Sequence, residues 1–204
     1  MNKGEMRAHF IALLNRSDCP DALANTFIDQ GMGRILRTLR IPSMEKKQSY
    51  SVSSAGGLYS VVLPSDLIET IDIYHDGVGL VRLPMHEMVA NQKTGTLGSP
   101  EFFTREQGTF LLYPMPTSGT LFINYYGELP AITSDSDSNS LTILAADAII
   151  YTALSYAADY FLDERGALFD GKSVAFVNEI QEQADTAESS GGIQVMRPTV
   201  RFED

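Results

Sequence analysis

The sequence predicts an α+β protein: a four-helix bundle built from its N- and C-terminal segments, an inserted and mostly antiparallel β-sheet or sandwich, and an extended C-terminal tail. Three observations carry this. Apolar residues recur at three- and four-residue spacing over residues 3–40 and again over 141–188. From Glu45 to Thr133 the apolar runs are short, β-branched and aromatic, and glycine and proline punctuate them. After Ala187, the stretch Glu-Ser-Ser-Gly-Gly precedes an ending that alternates apolar and polar residues. The expected pieces are residues 1–44, the N-terminal half of the bundle; 45–133, the β insertion; 134–188, a helical hairpin; and 189–204, a hinge and tail.

Residues 3–16 form the first helix, with Met6, Phe10, Leu13 and Leu14 near one face. Asn15-Arg-Ser-Asp18 breaks it. Pro20 suits the first helical position and Asp21 the positive helix N-terminus, so a second helix runs from there to Arg40 and stops at Ile41-Pro42. Gly31 and Gly33 lie inside it, each costing roughly 0.5–1 kcal/mol relative to alanine. Close approach of another backbone is one explanation and a kink the other. Arg34, Arg37 and Arg40 share one side and suit ion pairs or the helix end.

The expected strands are Ser49–Ser53, Gly57–Leu63, Ile68–His75, Gly79–Leu83, Glu101–Glu106, Thr109–Tyr113 and Thr120–Tyr126, with a short helix over Pro84–Asn91. Leu121, Ile123 and Tyr125 alternate with Phe122, Asn124 and Tyr126 at the period of a strand. Thr133–Ser140 is a polar linker. Beyond it, Leu141–Glu188 reads as two helices joined at Asp163-Glu-Arg-Gly166, where glycine can take the left-handed position. Ile150, Leu154 and Leu162 fall off the main apolar stripe of the first. That helix is therefore expected to be covered on more than one side, inside a bundle or by neighbouring subunits.

The net charge of −11 is uneven: residues 1–47 carry eight Lys/Arg against five Asp/Glu, and the excess of acid lies beyond them. An acidic surface argues against wrapping nucleic acid, whose affinity comes from phosphate neutralisation. It allows a surface past which DNA slides. No run approaches the ~18 apolar residues of a membrane span, and the N-terminus lacks the pattern of a secretory signal. Synthesis in the cytoplasm, without membrane association, is the expectation. The one cysteine, Cys19, rules out an internal disulfide and a cysteine metal cluster.

The residues supply no recognisable chemistry. Asp135, Asp137 and Asn139 begin a calcium-loop pattern that fails at Ser140 and Ala146, so a capping linker is the better reading. His9, His75 and His86 have no metal-ligand spacing. There is no nucleophile elbow, phosphate loop or dinucleotide fingerprint. Asp66, Glu69 and Glu128 are candidate carboxylates of a kind any acidic protein supplies. The expectation is a non-enzyme without cofactor or metal. A receptor- or carbohydrate-binding component is the alternative, motivated by Phe102, Phe103, Tyr125 and Tyr126. A hydrolase ranks below it.

The order of features resembles the head-to-tail adaptors (connector, or tail tubular A-type proteins) of short-tailed bacteriophages. The likeness rests on Leu13-Leu-Asn-Arg-Ser-Asp-Cys19 with Gly33–Glu45, then Tyr59–Glu69 with its Leu-Pro-Ser-Asp step. Phe110-Leu-Leu-Tyr-Pro-Met-Pro116, Asn124–Pro130 and the alanine-rich Ala148–Asp163 complete it. The resemblance implies a homo-oligomeric ring, typically of twelve subunits, in the virion neck. There it would bind the portal protein on one side and the tail nozzle or tube on the other, with DNA passing through without sequence-specific binding. It implies assembly in the host cytoplasm and a C-terminal extension that docks on the portal. Carried onto this chain, the docking residues are Ile193, Val195, Met196, Arg197, Pro198 and Phe202.

Overall fold

A computed structural model describes residues 1–92 and 95–189. In chain order its elements are α1 (Lys3–Leu14), α2 (Asp21–Thr38), β1 (Glu45–Ser53), β2 (Ser60–Val62), β3 (Leu67–His75), β4 (Val78–Gly79) and β5 (Val81–Arg82). Then follow α3 (Met85–Gln92), β6 (Phe102–Glu106), β7 (Thr109–Tyr113), β8 (Ser118–Gly127), α4 (Ser140–Leu144), α5 (Ala146–Phe161) and α6 (Gly166–Ser189). The described residues are therefore mixed α+β, with six α-helices and mainly antiparallel sheets. They fall into two units: Met1–Pro42 with the described part of Pro130–Asp204, and Ser43–Leu129.

In the helical unit, Asn2 and Glu5 close the start of α1 with a reciprocal capping box, and Asn15 ends it in the left-handed region at φ 55°. Pro20 is not the first helical residue. Its backbone is extended, ψ 156°, and its carbonyl accepts the Leu23 and Ala24 N–H groups, so it stands one step before α2. The helix stops at Thr38 rather than Arg40, with Leu39 already extended at ψ 135°. Gly31 is explained by close approach. A β-carbon there would lie 3.0 Å from the Ala153 nitrogen and 3.1 Å from the Ile149 oxygen, so glycine lets α2 meet the α5 backbone. Gly33 faces open space.

The hairpin expected over Leu141–Glu188 is three helices. Ala145 leaves helical geometry at φ −132°, ψ 34°, and the Asp147 carboxylate accepts the Ala148 N–H as α5 begins. A break that preserves the apolar stripe is invisible to periodicity. The turn after α5 also differs from expectation. Leu162, not Gly166, is left-handed at φ 55°, and Asp163 N–H closes back onto the Ala158 carbonyl. α5 packs on α1, α2, α4 and α6. Ala148, Ile149, Ala153 and Ala157 are buried, and so are the off-stripe Ile150 and Leu154. One subunit thus covers both sides of this helix, so its apolarity does not require a neighbour. Its C-terminal end is the exception, with Tyr160 and Leu162 exposed.

The polar linker is docked rather than free. Lys3 and Gly4 donate their N–H groups to the Asp137 and Asp135 carbonyls, and the Arg7 guanidinium grips the Asp135 carboxylate through two bonds of 2.6 Å. Asn139 caps α4 from the Thr142 N–H. Lys3 is buried and donates to Asp29 at 2.8 Å and to the Ile132 carbonyl.

The second unit is a sandwich of two sheets, ordered β1-β8-β3-β4 and β2-β7-β6-β5. Its core joins Ile73, Leu121, Ile123 and Tyr125 of one sheet to Val61, Phe103, Phe110 and Leu112 of the other. β8 shows the expected alternation, with Leu121, Ile123 and Tyr125 inward and their neighbours half-buried. β1 begins four residues before the predicted Ser49, since Glu45 through Gln48 pair with β8 in register. β3 carries two irregularities in its register with β8, and β5 pairs with β6 in parallel. Gly119, at φ 104°, makes room for a neighbour: a β-carbon there would lie 2.5 Å from His75 Nε2.

Candidate functional site

The six residues singled out for docking, Ile193, Val195, Met196, Arg197, Pro198 and Phe202, lie outside the described residues. The structure does describe what leads to them. α6 is continuous to Ser189 and is fixed to its unit by buried Phe169, Ser173 and Ala184. Ser173 shares a hydrogen bond with the Thr152 hydroxyl, which also donates to the Ala148 carbonyl. Arg34 pairs with Asp170 at 2.7 Å. Gln181 accepts the Arg40 N–H at 2.9 Å and donates back to the Arg40 carbonyl at 3.0 Å, so its amide closes the end of α2. The arginine row therefore serves structure at Arg34 and Arg40. Sequence reasoning missed Gln181, since a lone glutamine on a polar helix face carries no distinguishing pattern.

A groove of about 260 Å³ lies between α2, α5 and α6, walled by Ile35, Leu39, Val174 and Val177 and floored by Thr152 and Ser173. Its hydroxyls are spent on each other and on backbone. No acid–base pair faces it.

In the sandwich, Asp66 is the most engaged of the candidate carboxylates. It accepts from Lys46 at 2.6 Å and from the Tyr125 hydroxyl at 3.0 Å, and the Lys46 ammonium holds its carboxyl below the usual range. Lys46 also donates to the Glu128 carbonyl, and Glu128 N–H to the Asp66 carbonyl. Burial, aided by Asp66, pushes the Tyr125 phenol up to about 12. This is a lock joining β1, β8 and the start of β3.

His75 is buried, with Nε2 2.9 Å from the Ser118 carbonyl, whereas His9 and His86 are exposed. Burial pushes the Cys19 thiol up, which works against a thiolate nucleophile. Among the described residues, no group of three His, Cys, Asp or Glu is placed to hold a metal. None of their helices is long and apolar enough to cross a membrane.

The aromatic set that motivated a receptor-binding reading does not form a surface. Phe103 and Tyr125 are core residues, because the strand alternation turns them inward, while Phe102 and Tyr126 are half-buried. On the outer face, Phe122 and Tyr74 stack on each other at 5.0 Å, and Lys47 Nζ sits 4.3 Å from the Phe122 ring centre. Their ring faces are occupied within the chain.

In the clusters described above, the polar groups are bonded within the chain. The family model for the SU10 adaptor protein matches residues 1–198, and the chain belongs to that family. It is a structural adaptor protein of a phage. No curated protein matches the chain significantly.

Proposed function

We infer that the chain is the ring-forming adaptor of a phage neck, a ring of roughly twelve copies between the portal and the tail tube or nozzle. In this reading the four longer helices of residues 1–44 and 134–188, α1, α2, α5 and α6, act as one four-helix bundle on the portal side. Residues 45–133 meet the next tail component, and residues 189–204 reach the portal. The observation that carries the reading is the family match, which extends through residue 198 and so takes in most of the proposed docking residues. The net charge of −11 suits a wall past which DNA moves without adhering. Assembly takes place in the host cytoplasm, and the adaptor acts as scaffold without catalysis.

Mass measurement and imaging of purified particles test the ring. The expected result is multiple copies in a closed ring at the neck; a protein absent from particles would sink the reading. The tail has its own test. Removing Gly191–Asp204 is expected to weaken capture by the portal while leaving the thermal transition of the remaining chain within about 1 °C. Undiminished capture would take the tail out of the interface.

A further inference from the structure

The two flanks of the sheet β1-β8-β3-β4 are unequal. On one flank β1 runs nine residues, Glu45–Ser53, in unbroken register with β8 and with no strand on its outer side. On the other flank, β4 pairs only with Tyr74 and His75. The Leu67–Asp72 stretch of β3 therefore has no neighbouring strand there. A cleft of about 390 Å³ opens beside it, with Ile71, Leu80, Phe103, Arg82 and Arg105 among its lining. Ile71 is an exposed apolar residue on this flank.

An uncovered edge is a template for another chain, and lysines commonly blunt it. Here both lysines of β1 are drawn back onto their own sheet. Lys46 is held by Asp66 and the Glu128 carbonyl, and Lys47 lies over the Phe122 and Tyr74 rings. The rest of β1 has no proline and no bulge, whereas the facing stretch of β3 carries two irregularities, between Leu67 and Glu69 and between Thr70 and Asp72, that the junction has to accommodate.

We propose that β1 of one copy pairs with the uncovered edge of β3 in the next, so that one sheet runs around the ring. This rests on the ring reading above. Two different edges of the same sheet make a head-to-tail contact, the kind that builds a ring when its rotation closes, whereas β1 pairing with itself would stop at a dimer. β1 and β3 both run antiparallel to β8, so the junction between copies is parallel.

The charges fit this register. Lys47 and Asp72 both stand opposite Asn124, which puts them in one row and on one face. Both are exposed. A sheet continued at the same level sets Lys47 of one copy beside Asp72 of the next, and in that junction the Lys47 ammonium leaves the Phe122 and Tyr74 rings of its own copy for an opposite-charge pair across strands. Two rows away, opposite Tyr126, Glu45 meets Glu69, and the exposed Arg82 and Arg105 on that flank supply the compensating charge.

The test is a cysteine pair, Lys47→Cys with Asp72→Cys, in a Cys19→Ser background and in assembled particles. Within one chain the two positions are separated by β8, about 9.5 Å apart, beyond the ~7 Å reach of a disulfide. Any bridge is therefore between copies. Oxidation is expected to give a ladder of covalent multimers on a non-reducing gel. Rings present in normal number without a ladder overturn the pairing and leave the ring reading standing. Absence of rings from particles sinks both. A dimer from Lys47→Cys alone indicates β1 self-pairing and also overturns the proposal. As a second measurement, Lys47→Asp or Asp72→Lys is expected to deplete the adaptor from particles, and the two together to restore it. A double variant no better than either single one counts against the pair.

Discussion

Both units bury large apolar side chains, Phe10, Leu14, Ile28 and Ile35 in the helical unit and Phe110 and Leu112 in the sandwich, but only the helical unit adds a seam of close backbone contact. The helical unit brings backbones together at small residues: Gly31 of α2 against Ile149 and Ala153 of α5, with Ala148, Ala157 and Ala158 also buried. The sandwich fills its interior with large ones, Phe103, Phe110, Leu112, Leu121, Ile123 and Tyr125. Added volume should therefore tell most at the Gly31 seam of the helical unit, while volume removed should tell in either core. The units differ outside as well. Side chains close α1 and α4 at their starts and α2 at its end, whereas in the sheet β1-β8-β3-β4 the outer side of β1 and the Leu67–Asp72 stretch of β3 have no neighbouring strand. Closure and openness suggest where partners can add.

The largest expected effect is Phe110→Ala, which should cost about 3–5 kcal/mol in the sandwich. Hydrogen exchange read separately over the two units checks it, because protection should fall in Ser43–Leu129 and hold in the helices. An equal loss in both would mean that the units unfold together. Gly31→Val is the mirror experiment and should cost about 1–3 kcal/mol, confined to the helical unit. If Gly31→Val were as stable as the parent by urea unfolding, the close α2–α5 seam would be wrong.

The pH extremes should separate the units too. Hydrogen bonds from the Arg165 side chain and backbone hold the Asp163 carboxyl down to about 2. That contribution is present above the unfolded value near ~3.9 and disappears as pH falls towards 2. Asp163→Asn should flatten the acid limb of the melting-temperature profile. In the sandwich, the Tyr125 phenol pushed up to about 12 resists ionisation. Its contribution is complete below ~10 and is lost as pH rises towards 12. A 295 nm titration in which all nine tyrosines ionise together near ~10 would contradict the buried Asp66–Tyr125 contact. The smallest effect belongs to the α5–α6 turn. Leu162→Gly relieves a left-handed leucine that is 91% exposed, and should stabilise by roughly 0.5 kcal/mol. Unchanged or lower stability would show that the leucine is held there without strain.

Much of this architecture was legible because period and burial are linked. The inward set of β8 and the buried face of α5 follow from counting residues. The capping role of Asn139 was legible for a similar reason, since caps are local. The β1 start was hidden by Glu45-Lys-Lys-Gln48, whose charges look like loop yet pair along an open edge. Pro20 and Ala145 were misplaced because a one-residue shift or a brief break leaves the apolar stripe intact. The docking residues were nominated by resemblance, and they lie beyond the described chain.

The sequence by itself determined the succession of helical, extended and helical segments, the inward-facing residues of each, and membership in an adaptor family. Only the tertiary structure decided that Gly31 serves a backbone contact while Gly33 serves none. It also decided that Gln181 closes α2, that the acidic linker grips α1, and that two edges of one sheet stay uncovered. The physical reason is range. Periodicity and capping act within a few residues, whereas these contacts join positions more than a hundred apart or depend on which strand has no neighbour, and no local pattern encodes either.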